Sequence, residues 1–458
     1  MFENVLGQAA VDQIREDIGS GRLAPSMLFF GPPASGKGTA GLELARILSC
    51  EHPGGAAPWN CSCSACVSHR QISHPDLLIL GPRSFSPEIA AARAAFLREP
   101  KNSAAFILFI RSLRKLLARF SPVLLEDDPK LGKLSSLAVS LEEDINELEL
   151  SLQDEAPAFE KICAAILKNA FKLEDEGIGD VIPIGHIRRA AYWSRLAPSG
   201  RRKILLIENA GRMQEGARNS LLKILEEPPE TLTILLTVPR KEVLLPTLLS
   251  RLRSYRFLRR DLSVEAEVIR RVFRGSPPGV SGPTAQAGGL IGAYLDSFLP
   301  LPGEKLYPLA AFFIAALARA AALTLRKRGV TALPEELVLL GKNTAPMAEA
   351  AGFGRSGDSR ETISLLLAET GNFEARSFPR FLGAVLSLVS GLLREGNVKP
   401  EFITYIEIWR KNAGEAEAAA GIWNQNPALA LEGLFFRLKD AMVSAVLEGR
   451  GVPRMEIT

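Results

Sequence analysis

Gly31-Pro32-Pro33-Ala34-Ser35-Gly36-Lys37-Gly38-Thr39 has the spacing of a phosphate-binding loop. In the pattern G-x-x-x-x-G-K-[ST], backbone N–H groups and a helix N-terminus cradle phosphates. The lysine bridges the outer phosphates, and the hydroxyl beside it binds Mg²⁺. Gly31, Gly36 and Lys37 fit, but the hydroxyl position is Gly38. Thr39 lies one residue on, turned by about 100° around a helix of roughly 3.6 residues per turn, away from the metal. The loop predicts binding of ATP or ADP, with the usual means of holding Mg²⁺ weakened. The bland reading, a glycine turn before a helix, is disfavoured because a strand and a helix flank it correctly.

Ile204 to Ile207 followed by Glu208 resembles a Walker B strand. There the first acid holds Mg²⁺ or its water and a second activates the attacking water. The second position is Asn209, whose amide cannot take a proton. A general base is worth about 10²–10⁴ in rate, so hydrolysis here is expected to be slow or absent. Thr237, at the end of the neighbouring strand, is placed to orient a γ-phosphate or water, though many strands end in threonine.

Cys50, Cys61, Cys63 and Cys66 could offer thiolates to a structural Zn²⁺, with Zn–S near roughly 2.3 Å. Their spacing departs from two Cys-x-x-Cys pairs, so His52 or His69 could replace one cysteine. The loop Pro53 to Pro58 between them is one that metal would pin. Cys163 reads as a small buried hydrophobe.

Alternating apolar runs and helical periods must position these residues. Ser26–Phe30, Asp76–Leu80, Lys203–Ile207 and Leu232–Thr237 read as buried strands, Tyr255–Phe257 as a short fifth, and Lys37–Leu48 as a helix. This predicts an α/β fold with a parallel sheet covered on both faces. Residues 82–179 hold helical patterns without strand signals (Ile89–Leu97, Ala104–Phe120, Leu141–Leu152, Phe159–Phe171) and read as a helical insertion of two hairpins. Its basic stretch, Arg111 to Arg119, and acidic stretch, Glu142 to Glu155, read as solvated faces. Gly275 to Gly289 reads as a loop. From Pro308 onward, helices such as Ala310–Leu325, Phe381–Leu393 and Leu429–Val446 predict an all-α region.

A chain of 458 residues implies roughly three domains. A net charge of +4 permits nucleic-acid contact without arguing for it. Met1-Phe2-Glu3-Asn4 lacks a signal-peptide pattern, and the apolar stretch Ala104–Ile110 is too short to span a bilayer, so a cytoplasmic protein without a membrane partner is expected. Five cysteines, four of them clustered, argue for metal rather than disulfides.

In order, these segments resemble the bacterial clamp-loader ATPase family of the AAA+ class. Phe2 to Gln8 is similar to its N-terminal box near adenine, and Ser26 to Thr39 to its phosphate loop. The cysteine module followed by Ser73-His74-Pro75-Asp76 is similar to its zinc module and second strand. Asn219-Ser220-Leu221-Leu222-Lys223-Ile224-Leu225-Glu226-Glu227-Pro228-Pro229 is the most specific match. Leu249-Ser250-Arg251-Leu252 resembles its Ser-Arg-Cys motif with leucine for cysteine, and Asn426 to Leu434 the end of its collar domain. The resemblance covers residues 1–80 and 181–257 well, the C-terminal region loosely, and the insertion not at all.

The resemblance implies a P-loop NTPase core over 1–258 (zinc module 50–66, helical insertion about 82–179), a helical lid over 259–305 and a helical oligomerisation collar over 306–458. It implies a hetero-pentamer of clamp-loader subunits of DNA polymerase III that opens a sliding clamp and places it on primed template DNA. Arg251 would be an arginine finger acting on the neighbour's ATP. Gly38, Asn209 and Gly292, the last in the place of the lid arginine, all weaken hydrolysis while Arg251 remains. The expectation is therefore a delta-prime-like stator rather than a gamma/tau-type motor. Two competing functions are a nucleoside monophosphate kinase, suggested by Gly36-Lys37-Gly38-Thr39, and a non-replicative AAA+ scaffold.

Overall fold

A computed structural model describes residues 1–52, 57–126, 128–152, 159–279, 283–354, 358–371, 377–392, 400–421 and 425–448. The chain divides into two compact units, 1–299 and 300–458.

In the first unit, α1 (Ala9–Gly19) leads to β1 (Ser26–Phe30), the phosphate loop and α2 (Lys37–Ser49). The cysteine module contains α3 (Ser64–Gln71), and β2 (Leu77–Leu80) follows. Next come α4 (Ser86–Arg98), α5 (Ser103–Leu117), a 3₁₀ turn (Ala118–Phe120), α6 (Pro122–Leu125), α7 (Leu131–Ser151) and α8 (Phe159–Gly177). After α9 (Ile184–Arg195) the sheet resumes with β3 (Lys203–Ile207), α10 (Glu215–Glu226), β4 (Leu232–Val238), α11 (Pro246–Leu249) and β5 (Arg253–Arg256). Helices α12 (Leu262–Val268) and α13 (Pro283–Asp296) end the unit.

All strands are parallel, in the order β2-β3-β4-β1-β5. Every residue of β3 and β4 is buried, as expected for strands covered on both faces, where apolar residues need not alternate with polar ones. One face packs under α9 and α10, where Ile187, Trp193, Leu221 and Leu225 meet Leu205, Ile207, Ile234 and Leu236. The other packs under α1 and α2, where Ile14, Leu44 and Ile47 meet Met27, Phe29, Leu206 and Leu235. The carboxyl ends of β1, β4 and β3 therefore lie side by side, the edge where ligands bind in open α/β sheets.

The described residues of 82–179 form helices and no strand, as expected, and residues 127 and 153–158, with part of the expected acidic stretch, lie outside the described residues. α4 packs on α5, and α7 on α8. Their shared core holds Phe96, Phe109, Leu113, Leu141, Ile145, Ile166 and Cys163. Two sequence expectations fail here. The basic stretch is not a solvated face: Arg119 is 5% exposed, and Lys115 is held by Glu88. Positions 111 and 115 share one side of α5, Arg119 follows in the 3₁₀ turn that continues it, and that side faces inward. The expected loop over 275–289 is helical from Pro283; proline at a first helical turn needs no N–H partner. The helix is broken at Gly289 (φ 70°, ψ −174°), and the Glu265 carboxylate accepts the N–H groups of Leu290 (2.5 Å) and Ile291 (3.3 Å) just past the break.

The second unit is helical: α14 (Gly303–Lys327), α15 (Glu335–Ala350), α16 (Ser359–Thr370), α17 (Ser377–Leu392), α18 (Pro400–Gly421) and α19 (Pro427–Glu448). α14 is long and apolar enough to cross a membrane, but its most apolar window is 72% buried. Its apolar side chains form the centre of this unit, with Phe313 against Phe381 and Phe435.

Candidate nucleotide site and cysteine cluster

The phosphate loop sits between β1 and α2, with Gly36 in the left-handed region at φ 91°. The Lys37 ammonium donates to the carbonyls of Gly31 (2.7 Å) and Pro32 (2.6 Å) and to Ser35 Oγ (3.2 Å). Burial lowers its pKa to about 8, against the pull of Glu208 and with Arg260 adding to the fall. Arg260 closes the loop from the lid side, donating to Leu6 O (2.9 Å) and Ala34 O (2.5 Å). The N-terminal box aims this arginine: the Gln8 amide both donates to Leu258 O (2.8 Å) and accepts from Leu258 N–H (2.9 Å). The cavity bounded by Pro32, Ala34, Ser35, Arg260 and Glu265 is about 20 Å³, room for about one water.

Glu208 follows β3 directly and is buried, at 7% exposed. Arg83, just after β2, donates to its Oε1 at 3.4 Å, and Arg119 pairs with its Oε2. Arg83 also pairs with Glu88, which in turn holds Lys115. Burial opposes ionisation of Glu208, but the charges of Arg83, Arg119 and Lys115 outweigh it and hold the pKa below the ordinary carboxylate range. Burial lowers the Arg119 guanidinium to about 10, with Glu208 pulling the other way. A β-carbon at Gly38 would lie 2.6 Å from Glu208 Oε1 and 3.6 Å from Arg83 Nη1. Any side chain at residue 38 would thus press on the Glu208 carboxylate as Arg83 and Arg119 now hold it. The residues present do not fit a bound Mg²⁺: residue 38 offers no oxygen, and both Glu208 oxygens are held by guanidinium groups.

Asn209 is held as a structural residue. It has φ 50°, donates from Nδ2 to Pro82 O (2.7 Å), and its N–H donates to Thr237 Oγ1 (3.3 Å). Thr237 follows Leu236, which pairs with Ile207 of β3, so it lies level with Glu208, and its hydroxyl accepts from the Asn209 N–H. Thr39 lies in the first turn of α2. Gly292 lies in the lid helix α13, with nothing within 4 Å of the place of a β-carbon.

Arg251 follows α11 and is exposed, donating to Thr247 O (2.8 Å) and Glu226 Oε1 (2.8 Å). Glu226 ends α10, so the 219–229 segment buries Leu221, Ile224 and Leu225 on the sheet and presents an acid to Arg251.

The Sγ atoms of Cys50, Cys61, Cys63 and Cys66 all lie within 4.8 Å of one another. Cys50 Sγ and Cys61 Sγ are 3.8 Å apart, the edge of a tetrahedron whose metal–sulfur bonds are roughly 2.3 Å. The four thiols fit a tetrahedral metal without help from a histidine. His52 is exposed, and His69 stacks on His74, ring centroids 4.2 Å apart. Residues 53–56 of the intervening loop lie outside the described residues. Burial pushes the Cys50 and Cys66 thiols up. For Cys63 burial also opposes ionisation, but hydrogen bonds from the Glu51 and Cys66 N–H groups and from neighbouring thiols bring it to about 7. Arg46, from the buried face of α2, donates to Cys66 Sγ (3.2 Å), to Pro58 O (3.0 Å) and to Ala57 O (2.7 Å) while paired with Glu43. The cluster is thereby tied to the helix that carries the phosphate loop.

Sequence reasoning missed Arg83, Glu88, Lys115, Arg119, Arg46 and Arg260. The spacing of Arg111, Lys115 and Arg119 was a signal; the others carried none.

No curated protein matches this chain. Among solved structures, the chain is similar to a DNA polymerase III, gamma subunit-related protein from Thermotoga maritima. The identity is 21%, the TM-score 0.26, and the match covers 58% of this chain and 81% of that one. The family described as "DNA polymerase III, delta subunit" matches residues 7–112 and 131–261, just over half of the chain. That match runs through most of the helical segment and omits residues 113–130, correcting the expectation that the resemblance skips 82–179 altogether. On this match the chain belongs to the DNA polymerase III delta-subunit family, within the AAA+ clamp-loader subunits.

Proposed function

We propose that this chain is a delta-prime-like stator of the clamp loader: it does not hydrolyse ATP itself and supplies Arg251 to the ATP site of a neighbouring subunit. The observation that carries this reading is the state of Glu208, whose two oxygens are taken by Arg83 and Arg119. Asn209 beside it offers no base and is turned to Pro82 O. A gamma/tau-type motor needs both positions free for metal and water. Arg251, by contrast, lies on the surface, donating to Thr247 O and to the exposed Glu226 carboxylate, an ion pair worth little and easily given up.

The same reading makes 1–258 the NTPase core, 259–305 its lid and 306–458 the collar by which subunits join. The four cysteines hold structural zinc, and the protein works in the cytoplasm with the other subunits, the sliding clamp and primed DNA. Zinc would be held by Cys50, Cys61, Cys63 and Cys66, and supplies crosslinking rather than chemistry. A monophosphate kinase has no use for the Glu226–Arg251 surface or the cysteine module.

The test is ATP turnover by a reconstituted complex of this chain with a motor subunit. Arg251→Ala is expected to leave assembly intact and to slow the neighbouring site by roughly 10³-fold or more, the usual worth of an arginine finger. Unchanged turnover, or brisk turnover by this chain alone that is lost in Lys37→Ala, would sink the reading.

A further inference from the structure

Three cations, Arg83, Lys115 and Arg119, face two carboxylates, Glu88 and Glu208, in a buried cluster beside the first turn of α2. Buried Glu174, which accepts from the N–H groups of Phe85 and Ser86, also acts on Arg83. Arg119 keeps Nε and Nη1 without a hydrogen-bond partner among the described residues, although it is 5% exposed. Leaving guanidinium N–H groups buried and unmatched is costly, and an anion beside them relieves that cost. Arg83 is the more accessible of the two, its side chain 28% exposed, and its Nη1 lies 3.6 Å from the place of a Gly38 β-carbon. Two guanidinium groups carry the charge of one divalent cation, on the acid that such a cation would use.

We propose that Arg83 and Arg119 stand in for the divalent metal, and that the phosphate loop binds the polyphosphate of a nucleoside di- or triphosphate without Mg²⁺. The inference rests on reading residues 31–39 as a nucleotide site and deepens it. Lys37 swings from the carbonyls of Gly31 and Pro32 to the phosphates, and Arg83 meets the terminal phosphate at the side of Gly38. Guanidinium forks match phosphate oxygens in pairs, so the site selects for charge and shape while offering no metal-activated water.

The experiment is titration of the full chain with N-methylanthraniloyl-ADP and -ATP, in excess Mg²⁺ and in excess EDTA. Equal affinity within about threefold is expected. Lys37→Ala should weaken binding in both buffers and so locate it. Arg83→Ala should weaken it at least tenfold, about 1.4 kcal/mol, and Arg83→Lys should recover part of the loss. The wild-type comparison needs no variant to fold. Tenfold or greater loss on removing Mg²⁺, no binding of either nucleotide, or an Arg83→Ala affinity equal to wild type would each overturn the proposal. None of these results touches the role of Arg251, which is read from the neighbour's turnover.

Discussion

At Gly38 the structure turns a missing hydroxyl into a steric fact. Read alone, glycine for serine or threonine is a lost metal ligand. In the folded chain the absence of a β-carbon lets the Glu208 carboxylate lie close against the helix, where a β-carbon would be 2.6 Å from its Oε1. Gly38→Ser is therefore expected to overpack the site and cost about 1–3 kcal/mol, with no gain of ATP turnover; denaturant titration and a turnover assay check both halves. The carboxylates around it set an acid limit. Burial opposes ionisation of Glu88, but Lys115 and Arg83 outweigh it and bring its pKa to about 2, from an ordinary value of 4.5. A carboxylate with a depressed folded-state pKa stabilises fully above its unfolded pKa and loses that contribution as pH falls through the folded one. Unfolding free energy should thus decline between about pH 4.5 and 2, and Glu88→Gln should flatten that decline. An equal slope in wild type and variant would show that Glu88 has no part in it.

Helix α2 carries two functions on two faces. Its N-terminus opens from the phosphate loop, and its buried face sends Arg46 to Cys66 and to the carbonyls of Ala57 and Pro58. Trp59 lies under Arg46, Arg70 and Arg111, 5.6–5.9 Å from their guanidinium carbons, so α5 also touches the cysteine module. Partners that donate to a ligating atom tune metal affinity, typically by 10–100-fold. Arg46→Met is expected to weaken zinc by about that factor, measured by competition with a chromophoric chelator; unaltered affinity would reduce Arg46 to a packing residue. Helix α5 illustrates the opposite side of sequence reading. Its charges look solvated because a lysine and two arginines are usually outside. Here Glu88 makes the interior the better place for Lys115, and Glu208 does so for Arg119 in the turn that follows.

Each of the two units has its own core, around the sheet and α7–α8 in one and around α14 in the other. Separate cores predict separate cooperative transitions. Calorimetry of the full chain should show two, and a zinc chelator should lower only the one belonging to 1–299, which holds the four cysteines that could bind the metal. A single transition, or two that move together, would contradict this. The strands Ser26–Phe30 and Lys203–Ile207 are legible residue for residue, and the phosphate loop, Glu208 and the four cysteines are found where spacing places them. Those features depend on periodicity and short-range spacing, which a linear chain displays directly. What it does not display is which charges meet. Arg83 and Arg119 stand 125 and 89 positions from Glu208, and no local pattern joins them. Only the pairing of β2 beside β3, with the turn after α5 packed against β2, brings two guanidinium groups to one carboxylate, because a buried acid must find positive charge wherever the fold supplies it.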